Sequence, residues 1–185
     1  MRFFIALEIP EQSKQQLKQV QQQIKQLLPQ VRLTDNDKLH LTIAFVGEQP
    51  ESLREELIDA LKHAAAGIQS FNITPAYLDG FPNIHHPHTI WVGVKGDVDR
   101  LLILRERIKD GLLYLNLETD ERRFIPHIAV AKINNHQLTA VEEKAFEQIM
   151  SKDFNPIHVS EVKLFESVPE GGLHRHNTLA RIPLV

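Results

Sequence analysis

The sequence predicts an α+β (mixed α/β) protein of two pseudo-symmetric lobes, each a small, mostly antiparallel sheet backed by helices, with a central cleft between them. Three observations carry that expectation. Runs of β-branched and aromatic residues alternate with segments whose apolar residues recur at helical spacing. The order strand, helix, strand, helix, strand recurs approximately in the second half. One short pattern, His-apolar-small-apolar, occurs once in each half, as His40-Leu41-Thr42-Ile43 and His127-Ile128-Ala129-Val130.

The elements follow in order. Phe3 to Ile9 reads as a buried strand, ended by Pro10. Pro10-Glu11 opens a helix, because proline suits a first turn and glutamate suits its dipole. Leu17, Val20, Ile24, Leu27 and Leu28 give that helix one apolar stripe, while its many glutamines take the solvated face. A strand from about Leu39 to Val46 carries His40 and stops at Gly47. A second helix spans roughly Glu51 to Ala66, with Leu53, Leu57, Leu61 and Ala64 in register. Phe71 to Leu78 and Thr89 to Val94 are strands flanking the loop Gly80 to His88. Asp97 suits the cap of a third helix bearing Leu101, Ile108 and Leu112. The strand with His127 runs from about Phe124 to Ile133. A fourth helix, about Gln137 to Ser151, carries Leu138, Val141, Ala145 and Ile149. Strands Ile157 to Phe165 and Thr178 to Pro183 flank the turn Pro169-Glu170-Gly171-Gly172. No Gly- or Ser-rich linker separates the halves, so one compact bilobal domain over 1–185 is expected.

Composition narrows the function classes. The chain has 185 residues, a net charge of −3 and ordinary apolar and charged fractions of 42% and 24%. A protein that coats nucleic acid by charge alone would be basic; any RNA here must meet a local groove and be engaged at an end. With no cysteine, disulfides, thiolate zinc sites and cysteine nucleophiles are excluded. The apolar start, Arg2 to Leu7, is too short for a signal peptide, and nothing approaches a membrane span. A soluble, cytoplasmic monomer is expected.

The repeated pattern points to chemistry. Side chains alternate along a strand, so His40 and Thr42 share one face while Leu41 and Ile43 face the core. His127 and Ala129 repeat this against Ile128 and Val130. A single strand histidine is most often structural; two copies in matching frames, each after a polar or turn-rich stretch (Thr34 to Lys38, Glu118 to Pro126), favour a paired role. Two imidazoles across a groove can cleave a phosphodiester, one taking a proton from the attacking oxygen and the other giving one to the leaving oxygen. No metal or other cofactor is required. Thr42 can donate to a phosphate oxygen, and Ala129 cannot. Lys132 is a candidate substitute donor, although alternation puts it on the face opposite His127. Arg123, next to Arg122, is placed to attract RNA phosphates, and Phe81 to rim the cleft. The run His85-His86-Pro87-His88 lacks companion ligands at a metal-binding spacing, so loop surface is its expected role.

These residues resemble the two-histidine phosphoesterases, specifically the bacterial and archaeal RNA 2′,3′-cyclic phosphodiesterases, also called 2′-5′ RNA ligases. That family carries two His-x-Thr-x motifs. The resemblance extends over Arg2 to Ala6, Leu39 to Gly47, Phe81-Pro82 with Ile90 to Val94, Phe124 to His127, Leu164 to Ser167 and Leu179 to Leu184. It departs at Ala129 (usually Thr or Ser), Lys132 (commonly Arg) and His176 (often Tyr). The resemblance implies metal-independent opening of RNA ends or nucleotides bearing a 2′,3′-cyclic phosphate, with His40 the proton donor to the leaving 3′ oxygen. His127 is then the proton acceptor, and a 2′-phosphate remains. It leaves open reverse 2′-5′ joining. Two other classes stand beside it: a phosphate-binding module with little turnover, suggested by Ala129, and a related esterase for other small cyclic phosphates.

Overall fold

In the computed structural model, which describes residues 1–120 and 122–184, nine strands form one antiparallel sheet flanked by four helices. Glu121, inside the turn-rich approach to His127, and Val185 lie outside the described residues. The strands are β1 (Arg2–Glu8), β2 (Arg32–Leu33), β3 (His40–Glu48), β4 (Phe71–Phe81), β5 (Thr89–Gly96), β6 (His127–Lys132), β7 (Ile157–Val159), β8 (Glu161–Glu170) and β9 (Leu173–Pro183). The helices are α1 (Glu11–Leu27), α2 (Arg54–Ala65), α3 (Val98–Tyr114) and α4 (Ala140–Ile149). The sheet order is β7-β4-β5-β6-β3-β1-β8-β9, with β2 added on β6.

That order gives the pseudo-symmetry its physical form. The two histidine strands are central neighbours, and each carries three more strands outward. They meet at one ladder position, Leu41 opposite Ile128, and splay beyond it. The lobes are interleaved in sequence. Helices α2 and α3 pack on each other and against β9 and β3, whereas α1 and α4 pack on each other and against β6 and β4. Leu41, Ile43, Ile128 and Val130 are buried in the core, with Leu17, Val20 and Ile24 of α1 and Leu101, Leu104 and Ile108 of α3. Gln21 of α1 ties the helix to the sheet, its amide donating to the carbonyls of Thr34 and Val130 at 2.9 Å each.

Several local expectations change. Asp97 precedes α3 but does not cap it; its carboxylate instead accepts the Asn72 backbone N–H at 2.9 Å, pinning β4 to the helix start. A 3-10 turn at Glu51–Leu53 precedes α2. The fourth helix is shorter than its apolar pattern, because Thr139 and Glu142 form a reciprocal capping box that fixes its start. Val141 accordingly points to solvent. The last two strands run longer than expected, since Gly171 and Gly172, at φ 56° and 82°, make a two-residue hairpin turn. Among the described residues no helix is long and apolar enough to cross a membrane.

Candidate active site

The site grows from the β3–β6 junction. Extending the Leu41–Ile128 register by one residue each way sets Thr42 across from His127 and His40 across from Ala129. All four are half-buried, while the alternating residues Leu41, Ile43, Ile128 and Val130 are buried against the helices. Strand alternation therefore delivers both imidazoles and one hydroxyl to the same open face, as expected from sequence. The histidines are diagonal neighbours across two strands.

Each imidazole lies in its own aromatic surround. His127 meets the Phe81 ring edge-on at 4.9 Å and the Trp91 ring at 5.5 Å, and Phe81 and Trp91 lie 4.8 Å apart. Its Nδ1–H donates to the Ile125 carbonyl at 2.7 Å, which fixes the tautomer and leaves the Nε2 lone pair free. Tyr77 adds an exposed ring at 5.8 Å from Trp91. It lies over Gly93, where a Cβ would stand 2.1 Å from the tyrosine ring, so the absent side chain is what admits it. His40 stacks on Phe4 at 5.2 Å and Phe165 at 6.1 Å, with His176 at 5.4 Å. Phe4 and Phe165 are themselves stacked at 4.9 Å.

Electrostatics follow from these surroundings. Burial, then the His176 imidazole and the Lys14 ammonium, push His40 down to about 4. Burial also holds His127 below the ordinary imidazole range, opposed by its bond to Ile125. His176 is lowered by burial and then by Lys38, with Asp37 opposing. Next to His40 on the sheet, Glu8 pairs with the buried Lys163, whose hydrogen bond holds the Glu8 carboxyl below its usual range.

The remaining sequence candidates distribute as follows. Phe81 is in the site, in contact with His127. Lys132 ends β6 exposed, opposite Arg32 and Thr89; a register shift that leaves Val130 as an extra residue returns it to the face of Ala129 and Trp91, while His127 itself meets Phe81, Trp91 and Ile125. Arg123 is exposed in the loop before β6, and its neighbour Arg122 forms a close pair with Asp120 at 2.7 Å. The loop histidine His85 pairs with Glu143 at 2.7 Å and His136 with Glu142 at 2.9 Å. Among the described residues no group of three or more His, Asp or Glu is arranged to hold a metal ion. Phe4, Phe165, Trp91 and Tyr77 are site residues that the sequence pattern does not single out. Phe4 is hidden in a run where both strand faces are apolar, and no local signal reveals which face β8 presents.

Two diagonal histidines thus stand on the central strands of a curled antiparallel sheet, and comparison with known proteins finds similar chains and folds. A family model described as LigT-like phosphoesterase matches residues 7–91. An RNA 2′,3′-cyclic phosphodiesterase of Methanocaldococcus jannaschii is 26% identical over 94% of this chain and 96% of its own length. One from Thermotoga maritima is 28% identical over 95% and 92%. Among solved structures, TT0787 of Thermus thermophilus superposes with a TM-score of 0.79 at 20% identity, covering 100% of this chain and 98% of that one. Escherichia coli LigT in complex with 3′-AMP gives 0.74 at 22% identity, covering 99% and 97%. The chain is thus similar to LigT-like phosphoesterases over residues 7–91 and shares the fold of the solved LigT structures.

Proposed function

We propose that this protein is a phosphoric diester hydrolase that opens 2′,3′-cyclic phosphate ends of RNA, leaving a 2′-phosphate, by acid–base catalysis from His40 and His127. The observation that carries the proposal is the pair of imidazoles on one sheet face, one of them oriented by its Nδ1–H bond to the Ile125 carbonyl. The relatives' activity supports the substrate class.

His127, with Nδ1–H committed to a carbonyl, presents Nε2 as the base for the attacking water. His40 supplies the proton to the departing 3′ oxygen. In the free protein its depressed pKa keeps it neutral at pH 7. The cyclic phosphate carries one negative charge, and an opposite charge within about 4–6 Å raises an imidazole by roughly 1–3 units. Substrate binding therefore draws in the proton that the reaction spends. When the ring opens, water's proton passes to His127 and the His40 proton passes to the 3′ oxygen. Thr42, across from His127, donates to a non-bridging oxygen where charge grows. Ala129 leaves the matching position without a donor. The residues meet the demands of this reaction with no metal. Lys132 is not given a part, and the exposed Arg123 is read as meeting the RNA backbone. Turnover of an RNA with a 2′,3′-cyclic phosphate end, in the presence of chelator, tests the proposal; binding without turnover would leave a phosphate-binding module instead.

A further inference from the structure

We propose that His176 is a third histidine of this site, holding the substrate's phosphate alongside His40 as a hydrogen-bond donor. The inference rests on the phosphate site proposed above and adds to it a residue that the two motifs do not contain. His40 has three ring neighbours, and Phe4 and Phe165 are apolar; His176, 5.4 Å away and edge-on to Phe4 at 4.8 Å, is the one with polar atoms. Its Nδ1 is enclosed and has no hydrogen-bond partner. A phenyl ring at that place would avoid the cost of an orphaned nitrogen, so packing alone does not account for an imidazole. With Nδ1 enclosed, Nε2 is the nitrogen left to meet a ligand. His40 also faces Ala129, the motif position that lacks a donor, so a donor supplied from β9 fills a need on that side of the cleft.

The charges around His176 suit an incoming anion. Lys38 and Asp37 act on it from the turn before β3, His174 from its own strand and His40 from β3, while Lys14 of α1 acts on His40. One carboxylate thus stands against several cationic or protonatable groups. Glu166 on β8 is bonded to Asn177 and Glu170 to Arg175. Two imidazoles this close resist carrying two protons, and a bound phosphate favours the uptake of one.

The test is histidine ring NMR of the full chain titrated with inorganic phosphate between about pH 5 and 8, the range in which imidazole changes charge. Wild-type signals of both His40 and His176 are expected to shift along one binding curve, with affinity falling as pH rises. His176→Phe, which keeps the ring, should weaken phosphate binding about tenfold or more, the effect of losing a charge-assisted donor. It should also raise the substrate KM more than it lowers kcat. His176→Gln keeps a neutral donor and should recover part of the affinity while flattening its pH dependence. A wild-type His176 signal that ignores phosphate overturns the inference even where a variant fails to fold. So does a folded His176→Phe that binds phosphate as wild type does. Phosphate binding needs no turnover, so a His176 response in a protein inert toward cyclic ends would retain this inference and sink the proposed function.

Discussion

Replacing His40 with glutamine should make the protein more tolerant of acid. In the folded chain, burial, His176 and Lys14 depress His40 from 6.5 to about 4. Between these values the unfolded chain binds a proton that the folded chain refuses, so wild-type stability is fully present above the unfolded pKa and falls as pH drops toward the folded one. Moving from pH 8 to pH 5, this single group withdraws about 2 kcal/mol, since each tenfold difference in proton affinity between the two states is worth about 1.4 kcal/mol. His127 and His176 are lowered too and act in the same direction, so the wild-type loss should exceed that figure. His40→Gln removes one contribution and leaves the others. Urea unfolding of both proteins at the two pH values gives the comparison directly. The variant should lose about 2 kcal/mol less than wild type over that interval. Equal losses, or a His40 ring signal titrating near 6.5, would refute the account of His40 as an imidazole desolvated on two phenyl rings.

Three further outcomes follow from the same structure. Both imidazoles proposed as catalytic are depressed in the free protein, so kcat/KM on a cyclic-phosphate RNA should peak below about pH 6.5 and decline as pH rises through neutrality, a bell set by one neutral and one charged histidine. A profile flat from mildly acid to neutral pH would contradict it. Ala129→Thr should raise catalytic efficiency up to about tenfold, by restoring a hydroxyl on the His127 strand; its register neighbour Trp91 has a buried, unpartnered Nε1, so unchanged efficiency with raised stability would mean the indole has captured the hydroxyl. Thr139→Ala should cost about 1 kcal/mol by breaking the capping box of α4, read as a lowered urea midpoint with activity intact.

The two motifs and their faces are legible in the sequence because strand alternation is a local rule: His40, Thr42, His127 and Ala129 all project where the period of two puts them. Helix stripes are equally local, and α1 to α4 lie close to their apolar patterns. What escapes a sequence reading is non-local. Pairing of β8 with β1 joins residues some 160 positions apart, and with it come Phe165 and, through the β9 hairpin, His176 beside His40. The interleaving of helices between lobes is likewise set by packing across the sheet. Two local signals nonetheless mark boundaries that the apolar patterns misplace. Thr139-x-x-Glu142 marks the start of α4, and Gly171-Gly172 marks a hairpin that carries both strands further. Lys132 shows where a strict period of two fails, since the extra residue at Val130 in the β5 pairing returns it to the face of Ala129 and Trp91.

The most direct measurement is product analysis on a short RNA ending in a 2′,3′-cyclic phosphate, incubated in chelator with wild type, His40→Ala and His127→Ala. Wild type should yield a 2′-phosphate end, and each folded variant should be slower by at least about a hundredfold, the scale of general acid–base catalysis. An uncleaved ring with wild type, or near wild-type turnover in either variant, would contradict catalysis by the two histidines.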